Sequence, residues 1–465
     1  MNATMRAFAH SCGGKLVGPD AAFNGVSTDS RTVNPGELFV ALSGPRFNGE
    51  DYVAAAVARG AAGAVVRARQ ESAVSQILVD DTLAALARSA HAWREGFSIP
   101  VIGVAGSNGK TTVKELISSI LSQAGPCLST RGNLNNHIGV PLTLFRIGAE
   151  HRFAVVEMGA DRAGEVATLV QIGRPTIGII TNAGAEHLAG FGSLEGVARA
   201  EGEMVAGLGA DATAIINHDD PFAALWKSMT PARIVTFGLE SGADFTAGSP
   251  HTTIDATGFI TRFTLHAPQG SVPVELHLAG RHNLVNALGA AAATSAAGLG
   301  LPDIARGLAA ARPVPGRLQF KRAASGAWII DDSYNANPSS VQAGIEVLAQ
   351  LDGQRWLVFA DMAELGAYAT ESHRQVGIWA KAAGIERLFT TGTLAQLAVE
   401  SFGAGASWFP DTGTLAAGLG SELSTQSPAA AGQVRMLVKG SRFNRLEHVV
   451  AALTAAPPAP GSTGA

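Results

Sequence analysis

The loop GSNGKTT, residues 106–112, limits the fold of this chain more than any other stretch. It follows the apolar segment VIGVAG, which is typical of a buried strand, and precedes VKELISSIL, which has helical periodicity. There, backbone N–H groups, the helix N-terminus and the Lys110 ammonium converge on phosphate, and Thr111 can ligate magnesium. The usual pattern G-x-x-x-x-G-K-[ST] has glycine where this chain has Val104. We nevertheless predict a phosphate-binding loop made of Gly106, Ser107, Asn108, Gly109, Lys110, Thr111 and Thr112.

Apolar strand-like segments alternate with helical segments along most of the chain, for example FAVVEM and TIGIIT in its middle part. This alternation predicts an α/β fold whose mostly parallel sheets are covered on both faces. At roughly 150 residues per domain we expect about three domains, and the stretch PVPG at 313–316 predicts a hinge. We place the domains at 1–96, 97–313 and 314–465. The centre is a P-loop-type parallel sheet, the last domain is Rossmann-like and doubly wound, and the tail AAPPAPGSTGA is disordered.

Composition excludes several classes of protein. The 465 residues carry a net charge of -4 without a dense basic run, so nucleic acid is not an expected partner. Two cysteines, Cys12 and Cys127, are too few for a disulfide framework and fit a reducing compartment. The start MNATMRAFAH lacks the pattern of a signal peptide, and the Ala-rich run 287–300 falls short of a membrane span. We therefore expect a cytoplasmic protein.

Three polar residues are expected near the carboxyl edge of the central sheet, where α/β proteins bind ligands. Glu157 ends the strand FAVVE, His187 follows the strand IGIIT, and Glu201 lies on the helical stretch GVARAEGEM. A carboxylate about 4 Å from a phosphate charge is repelled by roughly 4 kcal/mol at an effective dielectric constant of 20. Acidic residues beside a triphosphate therefore need a metal ion between them. Taken singly, each of these residues is more often structural than a ligand.

Further candidates lie in the last third of the chain. Asn283 and Asn286 stand three apart at the start of an apolar helix, where they can bind a base or merely cap the helix. Arg317 lies just beyond the hinge and can neutralise charge on a transferring phosphoryl group. Asp332 ends the strand AWIID, and either residue can equally be a surface charge or a cap. Four other residues that follow strands are loop-and-cap residues by default: Asp361, Glu364, Lys439 and Arg442.

Taken in order, these motifs resemble those of the ATP-dependent Mur ligases. The resemblance runs from about residue 26 to residue 450 and rests on GSNGKTT, RGNLNNHIGVPLTLF, VVEMGA, TNAGAEHL, GRHNLVNALGA, GR at 316–317, DDSYNANPSS and VKGSR. That family lacks the first glycine of the usual loop pattern, which accounts for Val104. The resemblance implies an ATP- and Mg²⁺-dependent enzyme that forms an amide bond in peptidoglycan precursor synthesis.

The resemblance also assigns roles residue by residue. It places Lys110 and Thr111 on the ATP phosphates and metal, Glu157 and His187 on magnesium, and Arg317 at the γ-phosphate. It places Asn283 and Asn286 around adenine and Asp332 at the ribose. Many members carry a carbamylated lysine where this chain has Glu201, and we expect Glu201 to support a second magnesium ion without CO2. Substrate residues are expected in VSTDSR and GNLNNH: Ser27, Asp29, Ser30, Arg31, Asn133, Asn135, Asn136 and His137.

Within the family, DDSYNANP and GNLNNHIGVPLTL favour ligation of D-alanyl-D-alanine to UDP-N-acetylmuramoyl-tripeptide. The family resemblance also implies an acyl-phosphate intermediate and a monomeric enzyme. A relative that adds the third peptide residue fits less well, because DDSYNANP replaces its D-Y-A-H-x-P-like run. A folylpolyglutamate synthetase shares the loop but does not need the VSTDSR domain. A P-loop nucleotide switch, whose only output is its nucleotide state, is the alternative from another class.

Overall fold

The computed structural model describes residues 1–45, 47–185, 188–255 and 258–455. Of the earlier expectations, His187 and nearly all of the tail at 455–465 lie outside the described residues. Within the described ranges, no helix combines the length and the apolar character that crossing a bilayer requires.

The N-terminal part is a small sheet with helices packed on it. Strands β4, β5, β6 and β7 are parallel, β2 runs antiparallel to β7 at one edge, and β1 pairs with β3 outside this sheet. The elements are β1 Ala3–Thr4, α1 Met5–Cys12, β2 Lys15–Val17, β3 Ala22–Phe23, β4 Val26–Ser27, β5 Leu38–Val40, α2 Val53–Ala58, β6 Gly63–Val66, β7 Ser75–Leu78 and α3 Thr82–Glu95.

The central part is built on a six-stranded parallel sheet of order β13-β12-β11-β8-β10-β9, with a three-stranded antiparallel sheet attached. Its strands and helices up to the end of the parallel sheet are β8 Val101–Ala105, α4 Lys110–Leu121, β9 Cys127–Ser129, α5 Gly139–Leu144, β10 Phe153–Glu157, α6 Glu165–Gly173, β11 Ile177–Ile180, α7 Leu188–Phe191, α8 Leu194–Ala206, β12 Thr213–Asn217, α9 Ala223–Met229 and β13 Arg233–Phe237. The remainder comprises β14 Thr246–Asp255, β15 Gly258–Ala267, β16 Gly270–Leu276, α10 Arg281–Ala296 and α11 Leu301–Ala310.

Strand β8 lies at the switch point of the central sheet. The chain leaves β8 toward β9 and β10 on one side and later returns to β11 on the other, so the loop after β8 opens at the crevice where such sheets bind ligands. Helix α4 buries Val113, Leu116, Ile117 and Ile120, which follow helical spacing, against α10 and α11. The phosphate loop is therefore held between a buried strand and a buried helix face.

The C-terminal part has a second six-stranded sheet, of order β17-β18-β22-β19-β20-β21. Strand β17 is antiparallel to β18 and the other pairs are parallel, with helices on both faces. Its elements are β17 Gln319–Arg322, β18 Trp328–Asp332, α12 Pro338–Ala349, β19 Gln354–Ala360, α13 Ala369–Ala382, β20 Arg387–Thr391, α14 Gln396–Phe402, β21 Ala406–Phe409, α15 Thr412–Ser424, α16 Pro428–Ala431, β22 Val434–Lys439 and α17 Glu447–Thr454.

The structure confirms the predicted α/β class, the parallel central sheet and the doubly wound last sheet. The stretch PVPG connects α11 to β17, and Gly316 has a positive φ of 70°. The antiparallel sheet β14–β16 was not predicted, although GFITRFTLH alternates apolar and polar residues in the manner of a strand.

Candidate active site

A cavity of about 1570 Å³ lies between the central and C-terminal sheets. Its wall on the central side includes the phosphate loop, the 133–137 loop, Glu157 and the start of α10. The opposite wall includes the hinge, the loop after β18, and residues Ser441 to Phe443 after β22. The carboxyl ends of strands from two sheets thus face one space.

The phosphate loop depends on two glycines with positive φ. Gly106 has φ 119°, and a Cβ there would lie 2.1 Å from the Thr181 hydroxyl oxygen. Gly109, with φ 83°, precedes the first residue of α4, and its missing side chain lets Asn286 approach closely. The Lys110 ammonium donates to the carbonyls of Gly106 and Ser107. Because α4 begins at Lys110, its first N–H groups have no partner within the helix, and Lys110, Thr111 and Thr112 line the cavity.

Val104 explains why the usual first glycine is not needed. It lies inside β8, is fully buried, and pairs in register with Glu157 on β10 and Ile179 on β11. The turn begins only at Gly106, two residues later. A side chain at position 104 therefore belongs to the core rather than to the loop.

Glu157 combines deep burial with an incompletely satisfied carboxylate. Its side chain is 2% exposed, and Oε1 accepts a hydrogen bond from Asn135 Nδ2 at 2.9 Å. Within the described residues, Oε2 has no hydrogen-bond partner. The Glu157 backbone N–H donates to the Thr130 hydroxyl at 3.0 Å, and the Lys114 ammonium, also buried, donates to the Thr130 carbonyl at 2.9 Å. These contacts fix Glu157 at the cavity wall.

The predicted substrate residues of the 133–137 loop are brought to the same wall. Asn133, Asn135, Asn136 and His137 all line the cavity. Asn136 Oδ1 accepts from the backbone N–H groups of Ile138 and Gly139, so this side chain orients the start of α5. Asn135 binds Glu157, as described above. This loop therefore supports the site as well as lining it.

Glu201 lies beneath the phosphate loop and is not among the residues that line the cavity. It is 3% exposed, and its Oε2 accepts a hydrogen bond from the Gly106 N–H at 2.6 Å. A buried carboxylate therefore holds the first residue of the loop. His187 lies outside the described residues.

The two asparagines of α10 are buried and connected to each other. Asn283 Nδ2 donates to the Ala279 carbonyl at 2.8 Å, and Asn286 Nδ2 donates to Asn283 Oδ1 at 3.2 Å. Both line the cavity beside the phosphate loop. The bond from Asn283 runs four residues back to a carbonyl before α10, and Gly280 rather than Asn283 holds the N-cap position, so the capping role considered for Asn283 is wrong.

Arg317 reaches the phosphate loop from the C-terminal side of the hinge. Its Nη2 donates to the Thr111 hydroxyl at 3.1 Å, and its guanidinium carbon lies 4.5 Å from the centroid of the Tyr334 ring. Sequence reasoning missed the contribution of Tyr334, since a single tyrosine in a turn-rich stretch carries no spacing signal. The structure thus brings Lys110, Thr111 and Arg317 together.

A second set of contacts between the two sides was also missed. Asn337 Nδ2 donates to Asn108 Oδ1 at 2.8 Å, and Asn108 Nδ2 donates to the Ser339 hydroxyl at 3.1 Å. Asn337 also caps α12 by accepting from the Ser340 N–H at 2.9 Å. A capping pattern such as NPSS marks the helix start, but nothing in it shows which loop it faces.

Asp332 is already paired within the protein. Its Oδ2 accepts from the Lys439 ammonium at 2.5 Å, and its Oδ1 accepts from the Leu318 N–H at 3.2 Å. Lys439 follows from the register of β18 and β22, which places it opposite Asp332. The neighbouring cavity residue His282 loses hydration, and this lowers its pKa to about 4 in spite of the Asp332 charge. His282 is therefore neutral at pH 7.

The residues of the VSTDSR stretch lie away from this cavity, and Ser27, Asp29, Ser30 and Arg31 are not part of its wall. Arg31 binds Asp29 through Nε at 2.9 Å and Nη2 at 2.8 Å. These hydrogen bonds hold the pKa of Asp29 down at about 2. The exposed Arg31 guanidinium is thereby oriented on the N-terminal part.

The sequence that builds this site is shared with known proteins. Three family descriptions match: Mur ligase family, catalytic domain, over residues 22–94; Mur ligase middle domain, over residues 104–294; and Mur ligase, glutamate ligase domain, over residues 316–441. The UDP-N-acetylmuramoyl-tripeptide--D-alanyl-D-alanine ligase of Escherichia coli K12 is 43% identical over 95% of this chain and 96% of its own length. The chain belongs to the Mur ligase family. It is therefore a ligase.

A second relative and two solved structures of similar proteins agree with this assignment. The enzyme of the same description from Haemophilus influenzae is 35% identical over 94% of this chain and 95% of its own length. MurF from Acinetobacter baumannii has a TM-score of 0.91 at 34% identity, covering 98% of this chain and 99% of that one. MurF ligase from Thermotoga maritima in complex with ADP has a TM-score of 0.79 at 26% identity, and the match covers 93% of this chain and 97% of that one. The predicted family and architecture are confirmed.

Proposed function

We propose that this Mur ligase joins D-alanyl-D-alanine to UDP-N-acetylmuramoyl-tripeptide, with conversion of ATP to ADP and phosphate, to give UDP-N-acetylmuramoyl-pentapeptide. The single observation that carries the proposal is Arg317, which reaches Thr111 of the phosphate loop from the other side of the cavity at 3.1 Å. With ATP bound to the loop, this guanidinium would meet the γ-phosphate. The names of relatives that match nearly the whole chain supply the substrates.

In the proposed reaction, a terminal carboxylate oxygen of the tripeptide attacks the γ-phosphorus of ATP, and ADP leaves. The amine of D-alanyl-D-alanine then attacks the carbonyl carbon of the acyl phosphate, inorganic phosphate leaves, and the nitrogen loses a proton. Lys110 and the N-terminus of α4 bind the phosphates, and Arg317 stabilises charge on the transferring group. Lys110 and Arg317 come from opposite sides of the hinge, so productive alignment requires both sides to be in contact.

The residues around the loop fit Mg²⁺. Glu157 Oε2 is buried without a hydrogen-bond partner in the described part of the chain, and the Thr111 hydroxyl lines the same cavity. Mg²⁺ in nucleotide sites takes few protein ligands together with phosphate oxygens and water. We propose that Thr111, Glu157 and His187 hold magnesium and that Glu201 supports a second ion with its permanent carboxylate. Magnesium would neutralise phosphate charge.

The remaining assignments divide the substrates among the domains. We propose that 1–96 binds the uridine nucleotide end through Ser27, Asp29, Ser30 and Arg31, that 97–313 binds ATP, and that 314–465 closes over it. Asn283 and Asn286, buried beside the loop, would bound the adenine pocket, and Asp332 would meet the ribose. Asn133, Asn135, Asn136 and His137 would contact the tripeptide. One chain supplies all of these residues, which supports a monomer. The use of ATP and the free cysteines Cys12 and Cys127 support a location in the cytoplasm.

Other functions have less support. Folylpolyglutamate synthase from Mycobacterium tuberculosis has a TM-score of 0.64 at 17% identity and covers 81% of this chain, which shows a shared fold alone. A nucleotide switch would not need the cavity residues supplied by the C-terminal sheet.

Phosphate release tests the proposal. With ATP, magnesium and a UDP-tripeptide carrying either diaminopimelate or lysine, we expect release only when D-alanyl-D-alanine is also present, together with a pentapeptide product in the mass spectrum. Lys110→Ala should abolish both signals, whereas the surface variant Arg374→Gln should retain them. Phosphate release that is independent of the dipeptide would reject ligation and favour a nucleotide switch.

A further inference from the structure

The wall formed by the C-terminal loops carries a cation and an aromatic ring side by side. Arg442 and Phe443 both line the cavity, the Arg442 side chain is 64% exposed, and Phe443 is 61% exposed. An exposed phenylalanine next to a cation fits a small ligand that has both an anionic end and apolar groups.

These two residues stand on a rigid support. The Ser441 hydroxyl accepts from the Ala363 N–H at 2.9 Å, and the Ser441 N–H donates to the Asp361 carbonyl at 3.2 Å. Asn444 Nδ2 donates to the same Asp361 carbonyl at 2.7 Å. The Asp361 carboxylate in turn accepts from the Ala395 N–H at 2.7 Å. Bonds on both flanks therefore hold positions 442 and 443 in place before a ligand arrives.

The separation of Arg442 from Arg317 has an upper limit. The guanidinium carbons of Arg317 and Arg442 lie 4.5 Å and 5.7 Å from the centroid of the same Tyr334 ring, so their separation cannot exceed the two distances combined. An extended dipeptide spans roughly 7 Å. A dipeptide whose carboxylate meets Arg442 can therefore place its amine near the group that Arg317 stabilises.

Two other cations of this wall already have partners. Lys439 is buried and bound to Asp332, and Arg317 donates to Thr111. Among the residues that the structure describes, Arg442 forms one ion pair, from Nη1 to Glu447 Oε1 at 3.0 Å. A guanidinium has five N–H donors in a fork that matches a carboxylate, so this pair leaves donors for a ligand.

We propose that Arg442 binds the carboxylate of the incoming D-alanyl-D-alanine and that Phe443 packs against its methyl groups, which sets the specificity for a dipeptide with a free C-terminus. This inference rests on the proposed function and assigns the second substrate to the loop after β22. Arg442 is then a substrate-binding residue that positions the attacking amine, whereas Lys110 and Arg317 act on the phosphoryl group.

Two substrates and three variants test the assignment. The substrates are D-alanyl-D-alanine and D-alanyl-D-alaninamide, which lacks the carboxylate. In the unaltered enzyme we expect KM for the amide to exceed KM for the acid by about 10- to 100-fold, as suits one charge-assisted bidentate contact. Arg442→Gln should raise KM for the acid by the same factor, leave KM for ATP and tripeptide unchanged, and reduce the difference between acid and amide to less than about threefold.

Two matched variants distinguish binding of the dipeptide by Arg442 from an effect of losing its ion pair or a surface charge. Glu447→Gln removes the ion pair but keeps the guanidinium, so it should retain discrimination between acid and amide. Arg374→Gln removes a surface arginine from a comparable pair with Glu371 and should change nothing. Retained discrimination in Arg442→Gln, or a rise in KM for the tripeptide instead of the dipeptide, would overturn the inference while ligation itself stands. Absence of ligation in the unaltered enzyme would instead reject the proposed function.

Discussion

The side-chain amide of Asn108 connects the phosphate loop to the C-terminal domain through two hydrogen bonds, with Asn337 at 2.8 Å and Ser339 at 3.1 Å. We predict that Asn108→Ala weakens ATP binding. A typical protein hydrogen bond contributes about 0.5–1.5 kcal/mol net, and the Ser339 bond is exposed to solvent, so the pair contributes about 1–2 kcal/mol. Such a loss corresponds to a factor of about 5–30.

This loss acts through the contact between the domains. If ATP binds best when both walls of the cavity are in place, the apparent Kd rises as the competent arrangement becomes less populated. Calorimetric titration with a non-hydrolysable ATP analogue should therefore show a Kd about 5- to 30-fold higher for Asn108→Ala. Asn34→Ala, an exposed asparagine on the N-terminal domain, serves as the control and should bind as the unaltered protein does.

A double-mutant cycle with Ser339→Ala identifies the cause. If the two residues act through their shared bond, the double variant should be weaker than the unaltered protein by less than the sum of the two single losses. Losses that add fully, or an Asn108→Ala variant with unchanged Kd, would refute the reasoning.

Three other perturbations test the phosphate loop, the carboxylate that holds it, and the fully buried His373 of α13. Gly106→Ala brings a Cβ to within 2.1 Å of the Thr181 hydroxyl at φ 119°. The free energy of unfolding, measured in denaturant, should therefore fall by about 1–3 kcal/mol. In the control Gly420→Ala a Cβ meets nothing within 4 Å, and the free energy of unfolding should not fall. Glu201→Gln keeps a hydrogen-bond acceptor for Gly106 but removes the charge, so the rate of ligation should fall at least about tenfold. Added bicarbonate should not raise the activity of the unaltered enzyme. Full activity in Glu201→Gln would reject the metal role of Glu201. Burial lowers the pKa of His373 below its ordinary value of 6.5. The contribution of His373 to stability is therefore complete above pH 6.5 and declines as the pH falls below that value. Tm measured from pH 7.5 to 5 should vary less in His373→Gln, and an unchanged dependence of Tm on pH would contradict this.

The sequence predicted the elements around the phosphate loop because each had a local signal. Strand β8 is an apolar run, α4 has helical spacing, and the glycines at 106 and 109 mark the turn between them. Glu157 and the loop after β22 could be placed at the ligand-binding edge because parallel strands bring their carboxyl ends together. Local pattern and topology were sufficient for this part of the site.

Contacts that cross the hinge could not be predicted in the same way. The pairing of Asn108 with Asn337 joins residues 229 positions apart, and neither residue carries a spacing that identifies the other. The partner of Asp332 depends on β18 and β22 being neighbours in the sheet, although Lys439 lies 107 positions later. These contacts depend on how the strands and loops of the C-terminal sheet pack against each other and against the phosphate loop. Such packing cannot be predicted from the periodicity within one helix or strand.

The central claim is that ATP activates the tripeptide carboxylate as an acyl phosphate. Tripeptide labelled with ¹⁸O in its terminal carboxylate tests it directly, because one oxygen of that carboxylate leaves with the phosphate when the dipeptide amine attacks. Mass spectrometry of the inorganic phosphate should show one ¹⁸O atom per phosphate released with D-alanyl-D-alanine present. Phosphate without ¹⁸O, formed alongside pentapeptide, would contradict the account.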